Sequence, residues 1–298
     1  MSIDSGILII NKEKGFTSFD VVAKLRGILH IKKIGHTGTL DPDAEGVLCV
    51  CIGKATKLIE YMTEHDKEYE TTLLLGTVTD TQDISGEVIS LSDVPSFDRS
   101  EIEAAIRHFT GDIDQVPPMY SAKKVNGQRL YEAARNGIEI ERKPVRIHVE
   151  SIDILGMDEN RIRLHISCSK GTYIRTLCHD IGQFLGCGGC MEKLDRTRVG
   201  EFGIDQAHTL SEIEEYVKKG RLDEVMLPID SVLTEYPAFT CSQDAFKRLQ
   251  NGNKLFSEDL IFKTPAVSDM IRVYTPEGVF AAVYKRNGDH YKVDKYFL

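Results

Sequence analysis

Short apolar runs bounded by turn-forming residues are the feature that most constrains what this 298-residue chain can fold into. Residues 6–10 and 47–52 are almost entirely apolar, yet each run is far shorter than the roughly 20 residues that a membrane-spanning helix needs. We therefore predict two buried β-strands. A third strand is predicted over 68–76, and the alternation of apolar and polar residues over 161–168 is typical of a half-buried strand.

Helices are predicted between these strands from apolar residues at helical spacing. The hydroxyls of Thr17-Ser18 can cap a helix over 18–30, whose apolar residues recur every three or four positions. Ser100 and Glu103 resemble a capping box that opens a helix over 101–109. The first half of the chain therefore combines strands and helices in alternation.

The last part of the chain differs in composition from the rest. An apolar stripe predicts one more helix over 173–185, and an acidic segment follows it. Beyond Tyr236-Pro237 we predict a short helix over 243–250 and strands over 279–284 and 291–297. This pattern indicates a small β-rich C-terminal module.

Net charge and cysteine content limit the classes of function. The net charge of −9 argues mildly against a nucleic-acid partner, but the charges are unevenly distributed. Residues 61–115 carry 3 basic and 13 acidic side chains, whereas residues 116–200 carry 14 and 10. Because a polyanion responds to the local field, one basic face would suffice. The seven cysteines and the absence of a signal-peptide pattern at the start lead us to expect a reduced cytoplasmic protein.

The segment GHTGTLDPDAEG, at 35–46, is the most informative stretch of the sequence. Its glycines allow sharp turns, and Pro42 restricts the backbone of Asp41 to extended conformations. We predict an ordered loop that presents His36 and Asp41, as loops on rigid scaffolds often do for reactive groups. The alternative is that Asp41 and Pro42 only begin a turn.

Two further segments carry residue types suited to binding. Arg175 lies in SKGTYIRT (169–176), outside the apolar stripe, so it is either a solvated surface arginine or the partner of a carboxylate. Residues 120–146 mix aromatic and basic side chains, which folded RNA requires, although a solvated charged surface has the same composition. The residues concerned are Tyr120, Lys123, Lys124, Arg129, Tyr131, Arg135, Arg142, Lys143 and Arg146.

Two motifs that suggest other functions do not meet their requirements. The Gly-Lys-Ala-Thr sequence at 53–56 lacks the spacing of a phosphate-binding loop, so ATP dependence is not predicted. Cys187 and Cys190, with His179 upstream, could form a metal or redox site. A structural zinc site requires four ligands, and no second pair of ligand residues lies nearby in the sequence. We therefore interpret these cysteines as buried thiols and predict no metal.

Taken together, these segments resemble the bacterial tRNA pseudouridine-55 synthases of the TruB family. The matching stretches follow the family order: GILIINKEKGFTSFDVV (6–22), KIGHTGTLDPDAEGVL (33–48), KEYETTLLLG (67–76), VPPMYSAKKVNGQRLYEAARNG (116–137), CSKGTYIRTLCHDIG (168–182) and LDRTRVGEF (194–202). The tail after Tyr236 is similar to the RNA-binding PUA domain of these enzymes. The family pattern has Pro where Glu13 stands and a small hydroxyl residue where Glu45 stands.

The resemblance implies a fold and an activity. We expect an α+β catalytic domain over 1–235 with a central mixed, mostly antiparallel sheet, a basic RNA-binding insertion at about 110–150, and a PUA-like domain over 236–298. The implied reaction converts a uridine of the tRNA T-loop, at position 55, to pseudouridine. The resemblance also implies that the protein requires no cofactor and no guide RNA, has no membrane partner and is a monomer.

The resemblance also implies roles for individual residues. Asp41 matches the catalytic aspartate, a nucleophile that later leaves. Arg175 matches its paired arginine, which should keep Asp41 ionised. Tyr69 matches the aromatic residue that stacks on the target base, and its hydroxyl is a candidate for proton transfer at C5.

Four more positions match residues that bind the substrate or support the site. His36 matches the residue that enters the T-loop when the base flips out, and Tyr173 and Leu194 match positions lining the uracil pocket. Lys12 matches a lysine near the active site with a structural or phosphate-facing role. Two rival functions stay open from the sequence: an RNA-binding or tRNA-folding protein without catalysis, and a nucleoside or sugar hydrolase that uses Asp41 and His36.

Overall fold

A computed structural model describes residues 4–121, 123–125, 127–261 and 268–298. The side chains of Lys124, Gln128, Arg129 and Arg135, which include three of the basic residues singled out above, lie outside the described part. Within it, the fold comprises one large mixed sheet with helices against it, a smaller sheet formed by the C-terminal residues, and two two-stranded sheets.

The strands are β1 (Gly6–Lys12), β2 (Ile34–His36), β3 (Glu45–Ile52), β4 (Lys67–Leu75), β5 (Thr77–Thr79), β6 (Val88–Leu91), β7 (Gly111–Gln115), β8 (Lys124–Val125), β9 (Gln128–Arg129), β10 (Val145–Asp158), β11 (Arg161–Cys168), β12 (Gly189–Val199), β13 (Phe202–Gly203), β14 (Ala238–Cys241), β15 (Leu255–Phe256), β16 (Leu260–Ile261), β17 (Met270–Tyr274), β18 (Phe280–Asn287) and β19 (His290–Tyr296). The helices are α1 (Ser18–Leu29), α2 (Ile59–Thr63), α3 (Arg99–His108), α4 (Leu130–Arg135), α5 (Ile174–Phe184), α6 (Leu210–Lys218) and α7 (Phe246–Gln250).

The large sheet has the order β1-β3-β12-β4-β11-β10-β7, with β2 added to β3 and β13 to β12. Its described strand pairs are antiparallel, except that β12 runs parallel to β3 over two residues, Asp195 beside Glu45 and Arg196 beside Gly46. The predicted fold class, α+β with a mixed, mostly antiparallel sheet and a β-rich C-terminal module, is confirmed. The short parallel contact joins β1, β2 and β3 to the rest of the large sheet.

The predicted strands coincide with β1, β3, β4 and β11, but the ordered loop predicted over 35–46 is shorter. Gly35 and His36 belong to β2, where they pair with Cys51 and Val50 of β3. Glu45 and Gly46 already belong to β3. Gly35 and Gly46 stand within strands because neighbouring atoms approach them closely: a Cβ atom would lie 2.8 Å from the Ile59 side chain at Gly35 and 2.2 Å from the Arg196 carbonyl oxygen at Gly46.

The helix beginning at Ser18 has the predicted cap, whereas the cap predicted for α3 was wrong. The Thr17 hydroxyl accepts a hydrogen bond from the Asp20 amide, and the Asp20 carboxylate accepts one from the Thr17 amide. The corresponding pair at α3 is Asp98 with Glu101, two residues before the predicted one. Asp98 is the stronger cap because its carboxylate also accepts a hydrogen bond from the Ser100 hydroxyl, 2.6 Å long.

Both faces of β1 and β3 are covered, which explains why their sequences are continuously apolar. On one face, Leu8 and Leu48 pack against α1 and α6. On the other, Ile7 and Cys49 pack against residues near α2 and against Phe297 of the C-terminal module. The C-terminal sheet, β15-β19-β18-β17-β14-β16, therefore shares part of its core with the large sheet.

Several elements were not predicted or were predicted with other bounds. The basic segment expected at about 110–150 begins with β7 and ends in β10, both strands of the large sheet, and its middle forms β8, β9 and α4. Strand β10 carries charged residues on its exposed face and two register shifts, so it lacks a clean alternating pattern. Helix α7 covers only the second half of the predicted 243–250.

Gly46 provides a test of the parallel contact between β3 and β12. Its φ is +101°, and a Cβ atom would lie 2.2 Å from the Arg196 carbonyl oxygen. We expect Gly46→Ala to lower the free energy of unfolding by about 3 kcal/mol, because backbone strain and a steric clash combine. Gly15 has a similar φ of +88° and open space around it, so Gly15→Ala should cost about 1 kcal/mol. Equal losses in urea denaturation would contradict the proposed clash.

Candidate active site

The loop of residues 37–44 carries Asp41 and is held from behind by the turn that joins β1 to α1. The Ser18 hydroxyl accepts a hydrogen bond from the Leu40 amide, 2.8 Å, and lies 3.2 Å from the Leu40 carbonyl oxygen. The Pro42 carbonyl accepts a hydrogen bond of 2.9 Å from the Gly15 amide. The residues on both sides of Asp41 are therefore fixed by neighbouring backbone.

Lys12 holds the same loop with a buried charge. Its side chain is inaccessible to solvent, and its ammonium group donates to the carbonyl oxygens of Glu13, Phe16 and Pro42 at 3.1, 2.7 and 3.1 Å. Burial lowers the pKa of Lys12. The negative charge of nearby carboxylates, including Glu45, opposes part of this shift. Three donors meet three acceptors, so of the two roles expected for Lys12 the structure favours the structural one over contact with a phosphate.

Asp41 and Arg175 form a two-pronged ion pair. Nε of Arg175 lies 2.9 Å from Oδ2 of Asp41, and Nη2 lies 3.3 Å from Oδ1. The Arg175 side chain is only 7% exposed, whereas that of Asp41 is 39% exposed. The alternative that Arg175 is a solvated surface arginine is therefore wrong. The arginine is the buried member of the pair, and the carboxylate is its solvent-facing member. We refer to this exposed carboxylate and the side chains around it as the cleft.

The rest of the Arg175 guanidinium is also occupied. Nη1 donates to the Thr81 carbonyl at 3.1 Å and lies 3.4 Å from a carboxylate oxygen of Asp83. Nη2 donates to the Tyr120 carbonyl at 2.8 Å. Because these partners and Asp41 come from three separate segments, the guanidinium is fixed in one orientation.

Asp83 is set in place by its own turn. Its carboxylate accepts hydrogen bonds from the Thr81 hydroxyl, at 2.8 Å, and from the Ser85 amide, at 3.0 Å. Gln82 has a left-handed backbone, φ 65°, and its side chain accepts a hydrogen bond from Thr176 of α5 at 2.7 Å. A strained turn that is tied down on both sides is typical of a functional position.

The charges around Asp41 act in opposite directions on its ionisation. Burial raises the pKa of the Asp41 carboxyl above its ordinary value, and the positive charge of Arg175 opposes that rise. The negative charge of Asp83 raises the pKa of Asp41 further, and Lys12 lowers it. The ion pair thus compensates part of the cost of burying the carboxylate.

Tyr69 and Leu194 lie on one face of the large sheet, close to the loop. Tyr69 of β4 is directly opposite Arg196 of β12, and Leu194 is opposite Thr71, so all four side chains point to the same face. Tyr69 and Leu194 belong to the same buried apolar cluster as Leu40. Burial raises the pKa of Tyr69, and the charge of Arg196 opposes this.

His36 and Tyr173 belong to elements that border the site, His36 to the end of β2 before the loop and Tyr173 to the start of α5. His36 is half-buried at the end of β2, and within the described residues its buried Nδ1 atom has no hydrogen-bond partner. Burial and the charge of Arg196 lower the pKa of His36, which favours the neutral imidazole. Tyr173 precedes α5, and its amide and carbonyl pair with the Gln115 side chain at 2.8 and 3.0 Å.

The described basic residues of the 120–146 segment are partly neutralised. Arg142 lies 3.2 Å from Glu139, and Arg146 lies 3.4 Å from Asp114. The link from this segment to the site is the Tyr120 carbonyl on Arg175, a backbone contact.

Other sequence features take no part in this cleft. All seven cysteines are free and buried, and among the residues that the structure describes no group of three histidine, cysteine or carboxylate side chains could hold a metal ion. In the same residues no helix has the length and apolar character to span a membrane.

The sequence interpretation missed two residues of this site. Asp83 lies in the acidic block at 61–115, where no spacing distinguished it from its neighbours. Arg196 lies within LDRTRVGEF, from which only Leu194 was singled out. The proximity of an arginine to an aromatic residue across two strands depends on register, which the sequence did not reveal.

The site can be compared with known proteins. The model of the TruB family pseudouridylate synthase (N terminal domain) matches residues 26–174, and that of the tRNA pseudouridylate synthase B C-terminal domain matches residues 175–234. The chain belongs to the TruB family. The family resemblance drawn from six sequence stretches is thereby confirmed, and TruB relatives from several bacteria support it.

Three TruB relatives carry the name tRNA pseudouridine synthase B. The one from Lachnoclostridium phytofermentans is 50% identical and covers 94% of this chain and 95% of its own. The one from Clostridium perfringens (strain SM101 / Type A) is 42% identical and covers 99% of both. The one from Bacillus pumilus is 41% identical and covers 95% of this chain and 93% of its own.

Solved structures of related proteins share the fold over the full length. The archaeal box H/ACA sRNP Nop10-Cbf5 complex contains a chain with a TM-score of 0.75 at 24% identity, which covers 100% of this chain and 87% of that one. An H/ACA RNP bound to a substrate RNA containing 2'-deoxyuridine contains another, with a TM-score of 0.74 at 24% identity and coverage of 100% and 86%. At this identity the likeness supports the TruB fold alone.

The structural role of Lys12 can be tested by removing its charge. We expect Lys12→Met to lower the free energy of unfolding by about 3 kcal/mol, because three buried carbonyl groups lose their donor. Lys14 is exposed on the adjacent turn, so Lys14→Met is the matched control and should be nearly neutral. Urea denaturation measures both, and a Lys12→Met protein as stable as Lys14→Met would contradict the role of Lys12 as an anchor.

Proposed function

We propose that this TruB-family chain isomerises a uridine of tRNA to pseudouridine, and that the target is position 55 in the T-loop. The observation that carries the proposal is the carboxylate of Asp41, paired with the buried Arg175 and exposed to the cleft beside Tyr69. The names of the TruB relatives support tRNA as the substrate. The position within tRNA comes from the resemblance of the sequence motifs.

Asp41 is the nucleophile in this proposal. Its carboxylate attacks either C6 of the uracil or C1′ of the ribose, and the bond between N1 and C1′ breaks. The base then turns, C5 bonds to C1′, and Asp41 leaves. Arg175 favours the ionised carboxylate against the effect of burial and holds it in one orientation, which is the form that a nucleophile needs.

Tyr69 completes the reaction in two ways. Its ring stacks on the target base, and its hydroxyl takes part in the proton transfer at C5. Once C5 is bonded to C1′, the proton on C5 must leave, and N1 must gain one. Because one proton is lost and one is gained, the reaction is an isomerisation that requires no cofactor, metal or nucleotide.

Base flipping brings the uridine to Asp41. The bond to be broken is enclosed in the folded T-loop, so the base must leave its stack. His36, neutral and half-buried at the cleft, is suited to fill the place of the base, since an uncharged ring stacks without a counter-ion. Tyr173 and Leu194 line the pocket that receives the uracil.

The wider RNA contacts follow from the arrangement of the chain. We assign the catalytic domain to 1–235 and a PUA-like RNA-binding domain to 236–298. The basic insertion at about 110–150 binds the T-arm. The protein acts as a cytoplasmic monomer without a guide RNA. Glu45 contributes a negative charge where the family pattern has a hydroxyl residue, which weakens tRNA binding.

A second candidate function is assistance with tRNA folding, which needs binding but not Asp41. The relatives' names do not bear on it, and the RNA-contacting surfaces proposed above would serve it equally. A deletion strain separates the two: rescue by wild type and by Asp41→Asn alike would assign the cellular role to folding.

Tritium release from tRNA transcripts labelled with [5-³H]uridine tests the proposed reaction. We expect release by the wild type and a loss of at least about 10⁴-fold in Asp41→Asn, because the nucleophile is removed while the shape is kept. Asp43, exposed on the same loop, supplies the matched control, and Asp43→Asn should retain activity.

The same assay tests the position and excludes a hydrolase. A transcript with cytidine in place of uridine 55 should release no tritium. Release from that transcript would contradict the T-loop assignment. Free uracil or abasic tRNA among the products would show hydrolysis and would overturn the isomerase proposal.

Arg175→Lys tests the importance of the two-pronged ion pair. Lysine keeps the charge but cannot make the paired contacts to Asp41, so the single-turnover rate should fall about 100-fold or more. The dissociation constant for tRNA should change little, because the Arg175 side chain is buried beneath Asp41. Filter binding and tritium release measure the two quantities, and equal losses in both would argue against the pairing role.

A further inference from the structure

Arg196 is a second buried arginine of the cleft, and it has a different set of partners from Arg175. Its side chain is 2% exposed, and Nε donates to the Val47 carbonyl oxygen at 2.7 Å. Nη2 and Nη1 donate to the carbonyl oxygens of Gly38 and Thr39 at 3.1 and 3.5 Å. These partners are neutral, so they satisfy its donors without neutralising its charge, which is costly in a buried site.

The unneutralised charge lies beside Tyr69. Arg196 and Tyr69 are directly opposite on β12 and β4, so their buried side chains share one face of the sheet and the charge of Arg196 acts on the phenol. Arginine has donors only, so in a hydrogen bond between the two side chains the Tyr69 oxygen is the acceptor. In that arrangement the hydroxyl hydrogen of Tyr69 points away from Arg196.

We propose that Arg196 is a positioning residue for the reaction: it orients the Tyr69 hydroxyl and stabilises the negative charge that builds on its oxygen during proton transfer at C5. The inference rests on the proposed function. The Tyr69 oxygen takes the proton from C5 while its own hydroxyl proton passes to water, and N1 of the base takes one proton from water. Overall no proton is gained or lost, and Arg196 stays protonated throughout.

The electrostatics of Tyr69 agree with this assignment. Burial raises the pKa of Tyr69, which disfavours negative charge on its oxygen, and the charge and hydrogen bond of Arg196 both oppose that rise. A fixed donor aimed at an atom where charge develops is an effective form of transition-state stabilisation in a site screened from water.

Arg196 also anchors the loop that carries Asp41, through Gly38 and Thr39, so the experiment must separate the two roles. A double-mutant cycle does this with Arg196→Lys, Tyr69→Phe and the double variant, using single-turnover tritium release. We expect Arg196→Lys to lower the rate about 100-fold when Tyr69 is present. In the Tyr69→Phe background the same change should lower the slow residual rate by only about tenfold or less, which is the part that the loop anchor contributes.

The cycle has a matched control and an outcome that overturns the proposal. Arg198, on the same strand, is paired with Glu68 at 2.6 Å, and Arg198→Lys should leave the rate unchanged. An equal loss from Arg196→Lys in both Tyr69 backgrounds would show that Arg196 acts only through the loop. Thermal denaturation of each variant identifies any that fail to fold.

Fluorine NMR tests the contact without substrate and without turnover. The protein is labelled with 3-fluorotyrosine, and the Tyr69 resonance is identified by its loss in Tyr69→Phe. Arg196→Lys should shift this resonance and leave that of Tyr284, buried in the C-terminal sheet, unchanged. An unshifted Tyr69 resonance would overturn the inference. If Arg196→Lys shifts the resonance but the wild type releases no tritium, the contact between Arg196 and Tyr69 stands and the proposed function is refuted.

Discussion

A guanidinium buried between two carboxylates determines the geometry of the cleft. Arg175 has too little contact with water to be stable without partners, so the fold surrounds it with Asp41, Asp83 and two carbonyl groups. These partners come from the loop before β3, the turn after β5 and the segment after β7. The requirement to satisfy one charge therefore brings together parts of the chain that are far apart in sequence.

Three buried cations hold the loop of residues 37–44 from different sides. Lys12 binds the Pro42 carbonyl, Arg196 binds the carbonyls of Gly38 and Thr39, and Arg175 binds the Asp41 side chain. A short loop has few apolar contacts of its own, so charge-assisted hydrogen bonds supply its rigidity. Rigidity has a chemical purpose, because a nucleophile displaced by about 1 Å can lose 100-fold in rate.

Features that depend on local sequence were predictable, whereas features that depend on the tertiary fold were not. Strands β1 and β3 were predictable because both of their faces are buried, and α1 because its cap is local. The family motifs named Asp41 and Arg175, which the fold brings into contact. Asp83 and Arg196 were missed, since their positions depend on a strained turn and on strand register, neither of which has a local signature. The cap of α3 was misplaced because two overlapping residue pairs satisfied the same pattern.

The most direct test of the account is the ionisation of Asp41 itself. Carbon-13 NMR of protein labelled at the aspartate carboxyl carbons, with the Asp41 signal identified by Asp41→Asn, follows its titration in the wild type and in Arg175→Met. We expect the variant to titrate at higher pH than the wild type, because burial raises the pKa of Asp41 and the opposing charge is gone. An unchanged or lower pKa of Asp41 in Arg175→Met would contradict the claim that Arg175 maintains the nucleophile in its ionised form.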